Sequence, residues 1–330
     1  MPEISELDPG DDAGLREFYD VEVAAFRVDH PYAVLRTYPQ LVQMVRRPSP
    51  YYRRTLLVAR DAGRIVGTAD LGLTVEDNLH LADVQARVLP QARRQGIGRQ
   101  LHDEAVRRAR ADGRTTMLGE VNQPLEGESP AYRFATALGY SVVHEQDHHV
   151  LPLPVPASRL DALWSLPADY DIVTWGNRAP DDVVDAFAAM HTQMGRDAPT
   201  GEVDHEPIEI TVERVREGER RVSESYDDVV AVARRRSDGV LGGYTAVHLA
   251  HDADYVVQDD TLVMPEHRGN GLGMALKVTV LRILAAERPE RRLVHTWNAV
   301  DNSFMQRINS DLGFRPVERE LEMQRKDAGA

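Results

Sequence analysis

The chain contains no cysteine. That excludes disulfides, a thiolate nucleophile and any cysteine-based metal site. Lysine is nearly absent as well: Lys277 and Lys326 stand against a background of arginine, a bias we read as codon usage, not chemistry. No apolar run reaches the ~18 residues of a membrane span. The start, Met1-Pro2-Glu3-Ile4-Ser5-Glu6, lacks a basic stretch followed by an apolar one. No transmembrane segment, membrane partner or secretory signal is therefore expected, and a cytoplasmic location follows. Positive charge is also short. The formal net charge is −14, whereas a nucleic-acid surface needs a basic stripe, so no nucleic-acid partner is expected. The acidic balance suits a cationic acceptor such as an amine, and equally a surface that is merely soluble. His144, His148 and His149 show no His-x-x-x-His pair backed by a helical Glu, so no metal is expected and they read as surface residues.

What the chain does have is a stretch around which the rest is arranged. Tyr255 to Val263 reads as a β-strand, Pro265 ends it, and Arg268-Gly269-Asn270-Gly271-Leu272-Gly273 makes a glycine-rich turn. Leu272, Leu276, Val280 and Leu284 then recur at helical spacing. A strand, glycine loop and helix in that order aim bare N–H groups and the positive end of a helix dipole at an anion. The spacing excludes a Walker loop, because Gly273 is followed by Met274-Ala275. It also excludes a dinucleotide fingerprint, because Leu276 stands where a third glycine is required.

The pattern occurs twice. Val88-Leu89-Pro90-Gln91-Ala92-Arg93-Arg94-Gln95-Gly96-Ile97-Gly98 precedes its counterpart by a constant 175 residues, from Val88 to Val263 and from Gly98 to Gly273. In 330 residues there is room for two domains that each bury a core. The run Leu151-Pro152-Leu153-Pro154-Val155-Pro156 reads as a stiff extended connector. We therefore expect one domain at 1–150, a proline-rich linker at 151–165 and a second domain at 166–330. Periodicity alone implies a mixed α/β domain, repeated.

The motif Val-x-Pro followed by Arg-x-x-Gly-x-Gly resembles the pyrophosphate-binding loop of the GNAT acyltransferases, which hold acyl-coenzyme A. The order β-α-α-β-β-β-α-β-α-β, read in each half, is the order of that family. The resemblance implies two tandem GNAT domains, each a central mixed β-sheet flanked by helices. It implies an N-acetyltransferase that moves an acetyl group from acetyl-CoA to a small-molecule or peptide amine by direct attack, as a monomer or homodimer. The coenzyme-binding residues it implies are Leu262, Val263, Arg268, Gly269, Asn270, Gly271, Leu272, Gly273 and Asn302. In the first half they are Val88, Arg93, Arg94, Gly96 and Gly98.

Asn302 also reads as a helix cap. The family often places an acidic tyrosine four residues before the glycine of its Leu-Gly-Phe ending. Here that place holds Asn309, and in the first half Ala135, with Tyr132 on another helical face. Where Asn302 stands, the first half counts back to Glu128, a poor neighbour for phosphates. The second half is thus expected to be catalytic and the first a degenerate copy. The base is expected on the strand before the loop, at Asp260 in preference to Asp259, because alternation lets one of two neighbours face the site. A solvated strand end is the competing reading of Asp260, and a solvated helix face that of Lys277. With both acid positions lost, a non-catalytic acyl-CoA-binding or regulatory protein is the competing function. The acids from Glu202 to Glu209 are expected either to border the acceptor pocket of the second half or to form a mobile loop.

Overall fold

The computed structural model describes residues 2–327. The first half runs β1 (Glu3–Glu6), α1 (Asp12–Arg27), α2 (Tyr38–Arg46), β2 (Tyr52–Asp61), β3 (Arg64–Thr74), β4 (Leu81–Val88), α3 (Ile97–Ala111), β5 (Thr116–Gln123), α4 (Pro130–Ala137) and β6 (Ser141–Pro152). The second runs α5 (Ala157–Leu163), β7 (Tyr170–Trp175), α6 (Val184–Asp197), α7 (Val212–Val222), β8 (Tyr226–Arg235), β9 (Leu241–Ala250), β10 (Tyr255–Val263), α8 (Leu272–Glu287), β11 (Leu293–Ala299), α9 (Ser303–Leu312) and β12 (Arg315–Lys326). Apart from α5, the order expected from the sequence holds in both halves. Within the 151–165 linker, β6 runs on to Pro152, into the stretch Leu151–Pro156 expected as an extended connector, and Ala157–Leu163 is helical.

Two compact units result. Among the described residues, one comprises the chain up to Glu145, Thr200–Glu206 and the chain from Glu318 onward; the other comprises Gln146–Pro199 and Pro207–Val317. The first unit orders its strands β1-β2-β3-β4-β5-β12, the second β6-β11-β10-β9-β8-β7. Each mixed sheet is therefore completed by the closing strand of the other half of the sequence. β12 pairs antiparallel with β5, from Arg319↔Gln123 to Lys326↔Thr116. β6 pairs antiparallel with β11, from Leu293↔Pro152 to Ala299↔Gln146. Local pattern cannot foresee this, since the residues of a strand do not name the strand it pairs with.

The cores follow the periodicity. In the second unit Leu272, Leu276, Val280 and Leu284 of α8 pack on Ala231, Val247 and Val294. In the first, Ile97, Leu101, Ala105 and Ala109 of α3 pack on Leu57, Leu71 and Met117. One feature of both sheets positions a site. The single parallel pair in each joins for three rungs and then separates: Leu81↔Thr116 to Asp83↔Leu118, and Tyr255↔Leu293 to Val257↔His295. Beyond these rungs the C-terminal ends of β4 and β10 have no strand partner on that side among the described residues, and each leads straight into its glycine loop.

The segment Thr200–Glu206 packs in the first unit. Asp204 lies 2.9 Å from Lys326 and is held by Gln324 through its backbone N–H. Glu206 donates its N–H to Asn78. These carboxylates are anchored in the unit opposite to the one expected.

Candidate active site

The loop after β10 is built by conformation. Gly269 and Gly271 lie in the left-handed region, at φ +81 and +71, where a side chain would be strained. No atom lies within 4 Å of where a Cβ on either would stand, so the face of the loop is open. Gly271 is the N-cap of α8, whose first-turn N–H groups have no intrahelical acceptor. Gly273 allows close packing instead: its Cβ would lie 3.4 Å from Ile308 of α9 and 3.8 Å from Val263. An open, glycine-lined helix N-terminus of this kind fits a diphosphate.

Strand β10 presents itself to the same space. Met264 donates to Gly242, so Leu262 pairs with Tyr244, and by alternation the Val263 backbone points away from β9 into the gap. Arg268 does not reach across the loop. Its Nε donates to Val263 O at 3.1 Å, and its guanidinium meets Asp197 at the end of α6 at 2.5 Å. Asn302 is the N-cap of α9, with its side chain accepting from Met305 N at 3.1 Å. In the first half the cap is Ser129, accepting from Tyr132 N, and not Glu128, because α4 is shorter than α9.

The acids of β10 lie in a bulge. The ladder to β9 slips between Gln258 and Thr261, leaving Asp259 and Asp260 opposite one residue, Ala246. The alternation on which the choice of Asp260 rested is thus broken, and each carboxylate acquires its own surroundings. Asp259 meets His248 Nε2 at 3.4 Å, and His248 Nδ1 meets Asp228 at 2.7 Å. Against the opposing effect of burial, these two carboxylates push the His248 pKa up to about 10. Burial favours protonation of Asp259, but the His248 imidazolium outweighs it and holds the carboxyl below its usual range. Asp260 accepts from the Tyr244 hydroxyl at 3.0 Å, and the same hydroxyl lies 3.2 Å from His191 Nδ1 on α6. Burial, then the charge of Asp259, raise Asp260 to about 7. Neighbouring groups whose environments drive their pKa values apart are the usual mark of divided acid and base roles. Sequence reasoning missed Tyr244, His191 and His248. The available signal was a histidine on the otherwise apolar face of α6.

Two expectations are overturned by burial. Lys277 is not solvated but 2% exposed, donating to Asn309 at 3.1 Å, and burial lowers its pKa to about 7. His148 and His149 are buried too, with His148 2.8 Å from His295 and stacked on Trp297 at 4.4 Å. Pairing with β11 brings His295 and Trp297 of that strand against His148.

The first unit's loop keeps the frame. Gly96 is the left-handed N-cap of α3, and Arg94 takes φ +67 where the second loop has Gly269. Arg93 repeats Arg268, with Nε on Val88 O at 3.1 Å and Asp29 at 2.9 Å. Gly98 repeats Gly273, its Cβ position 3.4 Å from Phe134. The acids are not repeated. β4 pairs with β3 without a bulge, and Gln85 stands in place of Asp260. Suitably oriented, its amide donates to Glu120 O and accepts from Glu120 N on β5, at 3.3 and 2.7 Å, spanning the gap. On the α1 side, Glu22 is closed by Arg87 at 2.6 Å.

Among the described residues no group of His, Asp and Glu is arranged to hold a metal, and no helix is long and apolar enough to cross a membrane. Residues 52–142 match the model of the acetyltransferase (GNAT) domain family. No curated protein matches the chain's sequence. Among solved structures, a tandem GNAT protein from the clavulanic acid biosynthesis pathway, without AcCoA, superposes at a TM-score of 0.87 with 28% identity over 100% of both chains. A GCN5-related N-acetyltransferase from Sphaerobacter thermophilus shares the fold at a TM-score of 0.67 and 17% identity, over 99% of this chain and 96% of that one. Residues 52–142 thus match a GNAT domain, and with the repeated loop and element order the whole chain is similar in fold to a tandem GNAT protein.

Proposed function

We propose that the second unit transfers an acetyl group from acetyl-CoA to an amine by direct attack in a ternary complex. Its observation is the bulge in β10, which sets a carboxylate with a pKa near neutrality beside an open strand end and a glycine loop. On this reading the diphosphate lies against the N–H groups of Gly269 to Gly273, with Arg268 beside it. The pantetheine arm follows the free edge of Leu262 and Val263, and Asn302 borders it while capping α9. Asp260 takes the proton of the attacking ammonium. The backbone N–H near Val263 polarises the thioester carbonyl. Thiolate is a good leaving group and departs without a dedicated side-chain acid, since Asn309 at the corresponding place is an amide, not an acid. The first unit, with its gap spanned by Gln85, serves as a degenerate copy. The acceptor is a cationic amine in a small molecule or a peptide.

The test is release of free thiol from acetyl-CoA with a panel of polyamines, amino sugars, aminoglycosides and peptide N-termini. Amine-dependent turnover that Asp260→Asn removes supports the reading. Tight coenzyme binding in calorimetry without turnover on any amine would establish a binding or regulatory protein instead.

A further inference from the structure

The two units differ at one pair of registers beside the gap. In the second, Trp297 of β11 stands opposite His148 of β6, and the two rings stack. Counted from the first parallel rung, at Leu293 in β11 and Thr116 in β5, the same place in the first unit holds Glu120, opposite Glu322 of β12. Like charges directly opposite on paired strands repel. Neither of these carboxylates has an ion-pair or hydrogen-bond partner among the described residues. Asp83 of β4 lies close enough for its charge to act on both. The nearby cations are already engaged: Arg54 and Arg36 close on Oδ2 of Asp70, and Arg87 closes on Glu22. Asp83 receives the Tyr52 hydroxyl, which fills the place a Cβ on Gly72 would take.

Asp70 is a second and independent sign. It is 7% exposed, and with Oδ2 turned to Arg54 on β2 its Oδ1 turns the other way, toward β4, where it has no partner. A buried carboxylate oxygen without a donor is unfavourable, and a donor from outside the chain would satisfy it. The charge of Asp70 acts on Tyr52 and Asp83, which places it on the same face. Glu120 is exposed and Glu322 half-buried, so that face is open to solvent.

We propose that this face of the first unit, across β4, β5 and β12, binds an organic cation with two or more ammonium groups, of the polyamine class. Such binding is independent of catalysis by the second unit. Three carboxylates without a cationic partner call for more than one positive charge. A single metal ion needs its ligands gathered around one point, and no group of that kind occurs among the described residues. An ammonium carries three donors, and a chain of them spaced by methylenes can serve Glu120 and Glu322 at one end and Asp83 and Asp70 at the other. Burial, then the charges of Glu120 and Asp83, push the Glu322 pKa up to about 7. Arg87, Arg36 and Arg54 act on Glu120 in the opposite sense, and Glu320 of β12 accepts from Asn122. Near neutrality the facing glutamates therefore share a proton, which an arriving ammonium displaces.

The experiment is calorimetry of the full chain with spermidine, without coenzyme, at about 0.15 M salt, where exposed charges are screened beyond ~8 Å. A spermidine site should appear that Glu322→Gln or Glu120→Gln weakens about tenfold or more, the scale of a charge-assisted hydrogen bond. Asp260→Asn, in the second unit, should leave its affinity unchanged, which separates it from an acceptor site. At pH 7 the heat of binding should depend on the buffer, because a proton is released, and Glu322→Gln should remove that dependence. Both glutamine variants should melt no lower than the native chain, since a repulsion is relieved; a lower melting temperature in both would mean that the glutamates are paired within the fold, and overturns the site. So does the absence of binding at millimolar spermidine, binding indifferent to both glutamine variants, or magnesium binding as tight as that of spermidine.

Discussion

The two glycine loops are nearly the same object, and the two strands that feed them are not. Both loops put a glycine N-cap in the left-handed region, and both tie an arginine to the last valine carbonyl and to an aspartate that follows or ends the first helix. The strands part company three residues earlier. β10 bulges and separates Asp259 from Asp260; β4 runs straight and spends Gln85 on spanning the gap. On the proposed function, such a comparison separates what would hold a coenzyme from what would do chemistry on it. Loop geometry is a property of backbone and survives duplication, whereas a reactive carboxylate needs one extra residue in a strand and a particular set of neighbours.

The comparison breaks first at Asp260. Asp260→Asn should lower kcat by about 10²–10⁴, the scale of general base catalysis, while Gln85→Ala, at the corresponding place, should leave turnover intact. The base works deprotonated, so wild-type turnover should rise through a pH of about 7 and fall below it. A pH profile flat from 5 to 8 would count against the assignment.

Next in size is the loop itself. Gly271→Val forces a β-branched residue to φ +71 and fills the open face, and should cost coenzyme affinity at least about 100-fold in calorimetry with the circular dichroism unchanged. Gly96→Val should leave turnover intact. The reverse outcome would make the first unit catalytic.

The arginines sharpen the contrast. Arg268→Ala should weaken coenzyme binding by about 1.5–3 kcal/mol, the scale of a charge-assisted hydrogen bond, and Arg93→Ala should affect turnover much less. Because Arg268 also ties β10 to Asp197, part of that loss should appear as lowered melting temperature. A melting temperature that does not move would mean the tie to Asp197 contributes nothing.

Smaller still is the buried lysine. Its folded pKa of about 7 lies below the ordinary 10.5, so the folded state is penalised most below pH 7 and gains stability as pH rises from 7 to 10.5. Lys277→Met should therefore stabilise the protein at pH 7 by about 1 kcal/mol, after the loss of the bond to Asn309. That gain should shrink at pH 10; chemical denaturation at both pH values reads the difference. Least of all, neutralising Glu202, Asp204 and Glu206 together should leave the KM for the amine and its salt dependence unchanged, because the segment is anchored in the first unit. A salt-dependent rise in KM would restore it to the acceptor site.

Much of this was legible in residues. The repeat offset, both loops, the helix faces of α3 and α8, and the element order are local or periodic properties, and local properties survive folding. Asp260 was legible as one acid of a pair, but for a reason the bulge removes. Lys277, His148 and His149 were misread because exposure depends on which strands and helices close over a residue, and their own periodicity does not contain that. Tyr244 and His191 are 53 residues apart, and no spacing rule joins them.

The sequence by itself determined the two phosphate-type loops, because glycine at a strand-to-helix turn is a statement about backbone, written one residue at a time. Only the tertiary structure decided which carboxylate would keep its proton near neutrality, which strand would close which unit, and where the acidic segment would dock. Those outcomes depend on desolvation and on charges brought from distant segments, and a chain acquires both when it folds.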